Sequence, residues 1–278
     1  MTILVTGASG NVGSELVRTL AAKGAKVRGL TRASSTGQAL PDGVQAVGGD
    51  LNQPESLDPA LDGAAGLFLL PGYGDMPGIL ARARRAGVKH VVQLSGMSAD
   101  STDMDNAITR YMAESERAVR EGGIDWTIVR PAAFMTNALR WLPQLRAGDV
   151  LRLPFATVRS ATIDPADIAE VAAMALITRH HEGRVYSVSG PESLTPADQV
   201  AILGRALGRD LRFEAQPDEE ARAEMTGSMP ARYVDAFFRF YVDGTLDESK
   251  VLPTVQAVTG RPPRTFAQWA ADHAGDFK

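Results

Sequence analysis

Three glycines set the terms for this chain. In "VTGASGNVG", Gly7, Gly10 and Gly13 stand between a short apolar run, "TILV", and an amphipathic stretch, "NVGSELVRTLAAKG", that closes at Gly24. Residues without Cβ at this spacing serve a tight turn, the close approach of a bound pyrophosphate, and close packing of helix on strand. The N-terminus of the helix that follows offers free amides to an anion. A glycine triplet alone is a weak signal, but between a strand and a helix in a βαβ context it is a strong one. The turn implies a dinucleotide held through Gly7, Ser9, Gly10, Asn11, Val12 and Gly13.

The first half of the chain repeats that rhythm. "KVRGLTR", "VQAVGGD", "AGLFLLP", "HVVQLSG" and "DWTIVRP" read as strands, with helices in "GILARARRAG" and "AITRYMAESERAV". Strands apolar on both faces and separated by helices belong to a parallel sheet covered on both sides. The fold class is α/β: a doubly wound parallel sheet, the Rossmann fold, with a small C-terminal substrate-binding lobe. After Pro131 the rhythm changes. "SATIDPADIAEVAAMALI" reads as a short strand and a helix with Asp167 as its N-cap. "RVYSVSG" reads as a further sheet strand, "TPADQVAILGRALG" as a helix capped at Thr195, and the remainder, with "DAFFRFYVDG", as a small helical lobe. Residues 1–138 are expected to form the dinucleotide-binding domain. Residues 139–278 are expected to add sheet elements over about 159–190 and the substrate-binding lobe.

Composition narrows the function classes. The net charge is −4 with no basic stripe, which speaks against nucleic acid, and no run of about 18 apolar residues suggests a membrane span. With no cysteine there is no disulfide and no thiolate chemistry. His180 and His181 fall in a turn where adjacent side chains face solvent, so no metal site is expected. "MTILVTGASG" lacks the basic region and apolar core of a secretory leader. A soluble cytoplasmic protein, monomer or homodimer, is the expectation.

The end of the second strand chooses between cofactors. NAD sites present an acid there, whereas NADP sites present arginine to the 2′-phosphate. Here the strand ends "GLTRASS", with Arg32 and no acid, and with Thr31 and Ser34 as further hydroxyl donors. Arg32 is either a phosphate ligand or a solvated loop residue, and the first reading favours NADP(H). Asp50 and Leu51, after the third strand, are placed to meet the adenine, or Asp50 caps the next helix. Leu70 and Pro71 lead into the loop "LPGYGDMPG" at the strands' carboxyl ends, where open α/β sheets bind ligands. Tyr73 on that loop covers nicotinamide or substrate, or lies on the surface.

Taken together, "VTGASGNVG", "GLTR", "GDL", "VVQLSG", "GIDWTIVRPAAFMTN", "IDPADIAEVAA" and "VTGRPPRTFAQWAADHA" resemble the NmrA-like branch of the atypical short-chain dehydrogenase/reductases. The resemblance spans nearly the whole chain. It implies NAD(P) in the crevice, with Ser95 and Pro131 beside it, and a lobe that closes over substrate. Relatives include quinone and ketone reductases, and regulators that bind dinucleotide without turnover. Counting back from "GGIDWTIVRP", the family's catalytic tyrosine and lysine align near Ile108 and Met112. Tyr111 is out of register, three positions from Ile108. Glu116 matches a family acid in a supporting role, and Ile108, Met112 and Val119 form an apolar stripe along this helix.

Without the pair, the developing oxyanion needs another donor. General acid catalysis contributes about 10²–10⁴-fold, so its loss is serious without being absolute. Ser95, where the family places Ser or Thr, is the candidate catalytic donor; its alternative role is to bond the sheet edge or the following loop. The other candidate is the substrate, where a ketone or quinone beside a phenolic hydroxyl activates its own carbonyl. Loss of the pair resembles the angucyclinone ketoreductases. The expected partner is therefore a small aromatic molecule in an apolar slot lined by Tyr73, Met97, Met112, Phe134, Met135 and Trp141. Leu142, Phe155, Met225, Phe237, Phe238 and Tyr241 are further apolar candidates. The expected function is NADPH-dependent reduction of a polycyclic aromatic ketone or quinone. The alternatives are simple quinone reduction and a non-catalytic NADP-binding sensor.

Overall fold

A computed structural model describes residues 1–32 and 40–277. The chain begins β1 (Thr2–Val5), α1 (Asn11–Ala22), β2 (Lys26–Thr31), β3 (Val44–Gly48) and α2 (Asp58–Leu61). It continues β4 (Ala64–Leu69), α3 (Met76–Arg85), β5 (His90–Leu94), α4 (Ala107–Glu121) and β6 (Asp125–Pro131). Then come α5 (Leu142–Ala147), β7 (Val150–Leu153), α6 (Pro165–Ile177), β8 (Arg184–Val188) and α7 (Pro196–Leu207). The chain closes with β9 (Arg212–Ala215), α8 (Asp218–Ser228), α9 (Ala231–Tyr241), α10 (Thr254–Thr259) and α11 (Phe266–Asp272).

Seven strands form one sheet in the order β3-β2-β1-β4-β5-β6-β8, every neighbouring pair parallel. The order reverses between β1 and β4, so the carboxyl ends of these two strands open the crevice where doubly wound folds bind ligands. One face is covered by α1 and α6, whose Leu16, Val17, Leu20, Ile168 and Val171 join Ile3, Val5 and Phe68 in a core. The other is covered by α3 and α4 through Ile79, Leu80, Ala83 and Val119. The inner strands β1, β4 and β5 are thereby buried on both sides, while the edge strands β3 and β8 stay largely exposed or half-buried.

Beyond β6, α6 and β8 return to the sheet layer and the rest of the chain builds the lobe. Its core gathers Leu151, Leu153, Val200, Leu203, Phe266 and Trp269. A two-stranded parallel sheet, β7 with β9, is present where the sequence reading expected only helices. The expected strand before α6 reduces to single bridges, Ser160 to Leu194 and Ile163 to Phe134. The N-cap of α6 is Asp164, not Asp167: its carboxylate accepts from the Ala166 amide at 2.8 Å, and Pro165 takes the first helical turn. Asp167 has another role. Fully buried, it accepts from Arg261 at 2.8 Å and from the side chain and amide of Arg264, each at 2.6 Å. His181 is half-buried, and its ring bonds Tyr186 Oη and Thr178 Oγ1, each at 2.8 Å. Among the described residues, no helix is long and apolar enough to cross a membrane.

Candidate functional site

The glycine turn forms as its spacing requires. Gly7 adopts φ +62°, and a Cβ there would stand 2.6 Å from Leu70 Cδ1. The Gly10 amide donates to the Gly7 carbonyl at 2.8 Å, and a Cβ on Gly13 would collide with that same carbonyl. Gly10, in extended conformation, precedes α1 without a side-chain cap. The amides of Asn11, Val12 and Gly13 are thus first-turn donors with no acceptor inside the helix. This is a fitting cradle for a pyrophosphate. The Val12 side chain is buried in the core, so its part in the cradle is its amide, while Ser9 and Asn11 are exposed at the rim. Asn11 Nδ2 also donates to Thr136 Oγ1 at 3.2 Å, tying the turn to the segment after β6.

At the adenosine end, Arg32 is exposed just past β2, as a phosphate ligand must be. Ser34 lies outside the described residues. Asp50 holds a turn: Oδ1 accepts from the Asn52 amide at 2.9 Å and side chain at 3.1 Å. Leu51 is only 5% exposed and packs with Leu30 and Leu57, so its side chain supports the turn from beneath rather than covering an adenine. Tyr73 lies on the β4–α3 loop. Burial raises its phenol pKa, Arg32 opposes that and Asp50 adds to it, and the residue lines a surface cavity with Gly72, Tyr111 and Ser115.

At the carboxyl ends of β4, β5 and β6 stand Leu70, Pro71, Ser95, Met97 and Pro131. Thr6 Oγ1 accepts from the Leu70 amide at 3.0 Å and fixes this edge. Ser95 is 3% exposed and donates its only proton to Glu116 Oε1 at 2.7 Å. Arg130 grips both oxygens of that carboxylate at 2.8 Å, and Arg120 adds a contact at 3.0 Å. Burial alone would raise the Glu116 pKa, but the bonds from Arg130, Ser95 and Arg120 outweigh it and hold the group below the ordinary range. The expected oxyanion donor therefore has its proton on a carboxylate that Arg130 and Arg120 favour in its ionised form. Ser95 fastens β5 to α4.

The face that α4 buries is more polar than its sequence stripe suggested, with Thr109, Ser115 and Glu116 beside Val119; Ile108 and Met112 are half-buried. The Met112 sulfur lies 4.0 Å from Ser95 Oγ, and its methyl group faces Gly96. Tyr111 packs over Gly72, and Ser115 Oγ accepts from the Gly72 amide at 2.9 Å while donating to the Tyr111 carbonyl at 2.7 Å. The tyrosine and the serine four residues on fix the β4–α3 loop.

A separate cavity of about 190 Å³ opens in the lobe against the segment after β6. Phe134, Trp141, Phe155 and Val158 supply apolar wall, and Ser160, Thr162, Gln199 and Tyr241 supply polar atoms. Of the expected substrate residues, Phe134 and Trp141 line it. Met97 and Met112 stand at the end of β5, Tyr73 lines a separate surface cavity with Tyr111 and Ser115, and Met135, 2% exposed, is lobe core. Sequence reasoning overlooked Ser160, Thr162 and Glu248, the last of which accepts from Tyr241 Oη at 2.9 Å. No periodicity marks a glutamate that becomes buried from the polar stretch "DGTLDESK".

Residues 7–179 match the model of a family described as NAD(P)H-binding. This chain belongs to that family. It is 42% identical over 279 residues to the (4-alkanoyl-5-oxo-2,5-dihydrofuran-3-yl)methyl phosphate reductase of Streptomyces griseus, covering 99% of each chain. It is 38% identical over 283 residues to the NAD(P)H azoreductase of Xenophilus azovorans, again covering 99% of each. An NADPH-dependent quinone oxidoreductase of Escherichia coli, solved with NADPH, shares the fold at a TM-score of 0.80 and 22% identity, over 97% of this chain and 99% of that one. The chain is an NAD(P)H-dependent oxidoreductase, and the glycine turn has the open amides and the space without Cβ that a dinucleotide pyrophosphate requires.

Proposed function

We propose that this protein uses NADPH to reduce a planar, conjugated, electron-poor molecule: an unsaturated carbonyl, a quinone or a polycyclic aromatic ketone such as an angucyclinone. The observation that carries the reading is the state of the crevice beside α4. The family acid positions hold Ile108 and Met112, and the proton of Ser95 lies on Glu116. When bound, the dihydronicotinamide supplies hydride. The chain's residues hold the two reactants together, which can lower a barrier by about 7–11 kcal/mol. An isolated ketone would concentrate charge on one oxygen with no acid at α4 to meet it. A conjugated acceptor spreads that charge over its own π system.

The names of the relatives support this. In the furanone phosphate of the first, the ring alkene is conjugated with the ring carbonyl and an alkanoyl group, and the second acts on azo compounds. Arg32, exposed at the end of β2 with no acid beside it in sequence, supports NADPH over NADH. The test follows NADPH oxidation with an acyl butenolide, an azo dye, a hydroxylated quinone, a tetracyclic aromatic ketone and cyclohexanone. Turnover is expected with conjugated members and not with cyclohexanone. Preferential turnover of cyclohexanone, or NADPH binding without turnover of any member, overturns the reading, the latter in favour of a sensor. Arg32→Ala is expected to weaken NADPH about tenfold or more and leave NADH unchanged.

A further inference from the structure

We propose that the lobe cavity binds the oxygen of the substrate through Tyr241, Ser160 and Thr162, with Tyr241 as its proton donor and Glu248 as the group that recharges it. This rests on the reductase reading and places the missing acid on α9 instead of α4.

Four observations converge. The first is unmet hydrogen bonding: Ser160 and Thr162 are lining residues of the cavity, and their hydroxyl oxygens are buried with no partner among the described residues. Each buried hydroxyl left so costs about 1–3 kcal/mol, which a carbonyl or phenolic oxygen in the cavity would relieve. The second is the pair itself. Tyr241 Oη donates to Glu248 Oε2 at 2.9 Å while that carboxyl is ionised, and Glu248 is only 7% exposed. Once protonated, the carboxyl donates to Oη instead and frees the phenol proton, a reversal that Ser95 lacks because the arginines hold Glu116 ionised. The third is charge. Burial pushes the Glu248 carboxyl up to about 7 against the bonds from Tyr241 and the Ala133 amide, while neighbouring Asp247 raises it further. Burial and Glu248 raise the Tyr241 phenol, with Arg140 the opposing charge. A carboxyl that keeps its proton near neutrality can give it to a phenolate, as one tuned to the working pH should.

The fourth is strain. Phe155 takes φ +56°, a conformation bulky L residues avoid at a cost of order 1–3 kcal/mol. Its ring is held at 5.3 Å from Phe238 and 5.1 Å from Tyr241, so the strained residue forms cavity wall and braces the donor ring. The cavity begins at Ala133 and Phe134, just past the carboxyl end of β6, on the segment that Asn11 of the cofactor turn touches through Thr136.

The step balances. A bound dihydronicotinamide would supply hydride, and with it two electrons, to the electrophilic carbon of the substrate, which would leave the π pair on the substrate oxygen. That oxygen takes the proton from Tyr241 Oη, the O–H bond of Glu248 breaks to restore the phenol, and the carboxylate regains a proton from water. The product is an enol or alcohol.

Tyr241→Phe keeps the ring packing and Thr162→Val keeps the shape while removing an unpaired hydroxyl, so both are expected to fold, Thr162→Val with a melting temperature near the parent's and Tyr241→Phe with a lower one because Glu248 loses a partner. NADPH affinity should be unchanged in both. With any substrate the parent turns over, Tyr241→Phe should lower kcat about 100-fold or more, and a loss under tenfold overturns the donor role. Glu248→Gln should retain substrate binding and lose the inflection of kcat near neutral pH; retention of that inflection refutes the recharging role. If the parent reduces no compound, the reductase reading fails and the binding role is decided alone, by calorimetric titration with 2-naphthol without dinucleotide. Weakening about tenfold in Tyr241→Phe and Thr162→Val supports the cavity's polar end, and parent-like binding in both, or no binding to the parent, overturns it.

Discussion

A hydroxyl has one proton, and at Ser95 its direction decides the residue's role. The acceptor is a buried carboxylate already held by Arg130 and Arg120, so the bond is charge-assisted and shielded from water. Turning that proton into the crevice would weaken the cluster that joins β5, α4 and β6. Ser95→Ala is expected to lower stability by about 1.5–3 kcal/mol, read from urea unfolding, and to change kcat less than about fivefold. A hundredfold fall in kcat at unchanged stability would return Ser95 to the chemistry. Glycine roles are read more directly. Gly7 and Gly13 serve one geometry whose failure with a Cβ is steric, and the strand–helix boundary around them is visible in sequence.

At the scale of elements, what could be read from sequence divides by the range of the forces involved. The inner sheet strands were legible because burial on both faces leaves continuous apolar runs such as "AGLFLLP", and the edge strands β3 and β8 because "VQAVG" and "RVYSV" keep β-branched residues between turn signals. The β7–β9 pair was not, because "RFEA" is half polar and gains strand geometry only from its partner 60 residues away. Local chemistry could have separated the two aspartates of "IDPADIAE". Proline at the first helical position points to the residue before it, Asp164, as the cap. The job of Asp167 could not be read locally, since its partners Arg261 and Arg264 lie almost 100 residues on. In the site, the cofactor turn was legible for the same local reason. The Tyr241–Glu248 pair was hidden because it forms only when the chain after α9 folds back against Ala133 and Ala161. Asp167 fastens α6 of the Rossmann layer to the start of α11. Asp167→Ala leaves two arginines without their buried counter-charge and is expected to cost about 3–5 kcal/mol. Fluorescence of Trp269 on α11, followed through urea unfolding, checks it, and a loss under about 1 kcal/mol would contradict the fastening role.

The whole molecule carries buried groups whose proton preferences oppose one another. Glu116, held low by its arginines, adds stability above the ordinary carboxylate range that is lost on acidification. Burial depresses the His90 and His181 pKa values, so their contribution is present above 6.5 and fades as pH falls below it. Glu248 runs the other way. Its folded pKa is raised from 4.5 to about 7, so its contribution is whole below 4.5, shrinks as pH climbs, and is gone once pH has passed 7. The parent's stability curve sums these opposing slopes and assigns none of them. The difference between the parent and Glu248→Gln isolates one, because the amide does not titrate and any packing change is constant with pH. From about pH 5 to about pH 8, the parent should lose on the order of 2 kcal/mol more than the variant, measured by urea unfolding at each pH. Parallel curves would mean that Glu248 is ionised throughout in the folded protein. It would then hold no proton to pass to Tyr241, and the lobe cavity would keep its polar end as a binding surface without a proton supply.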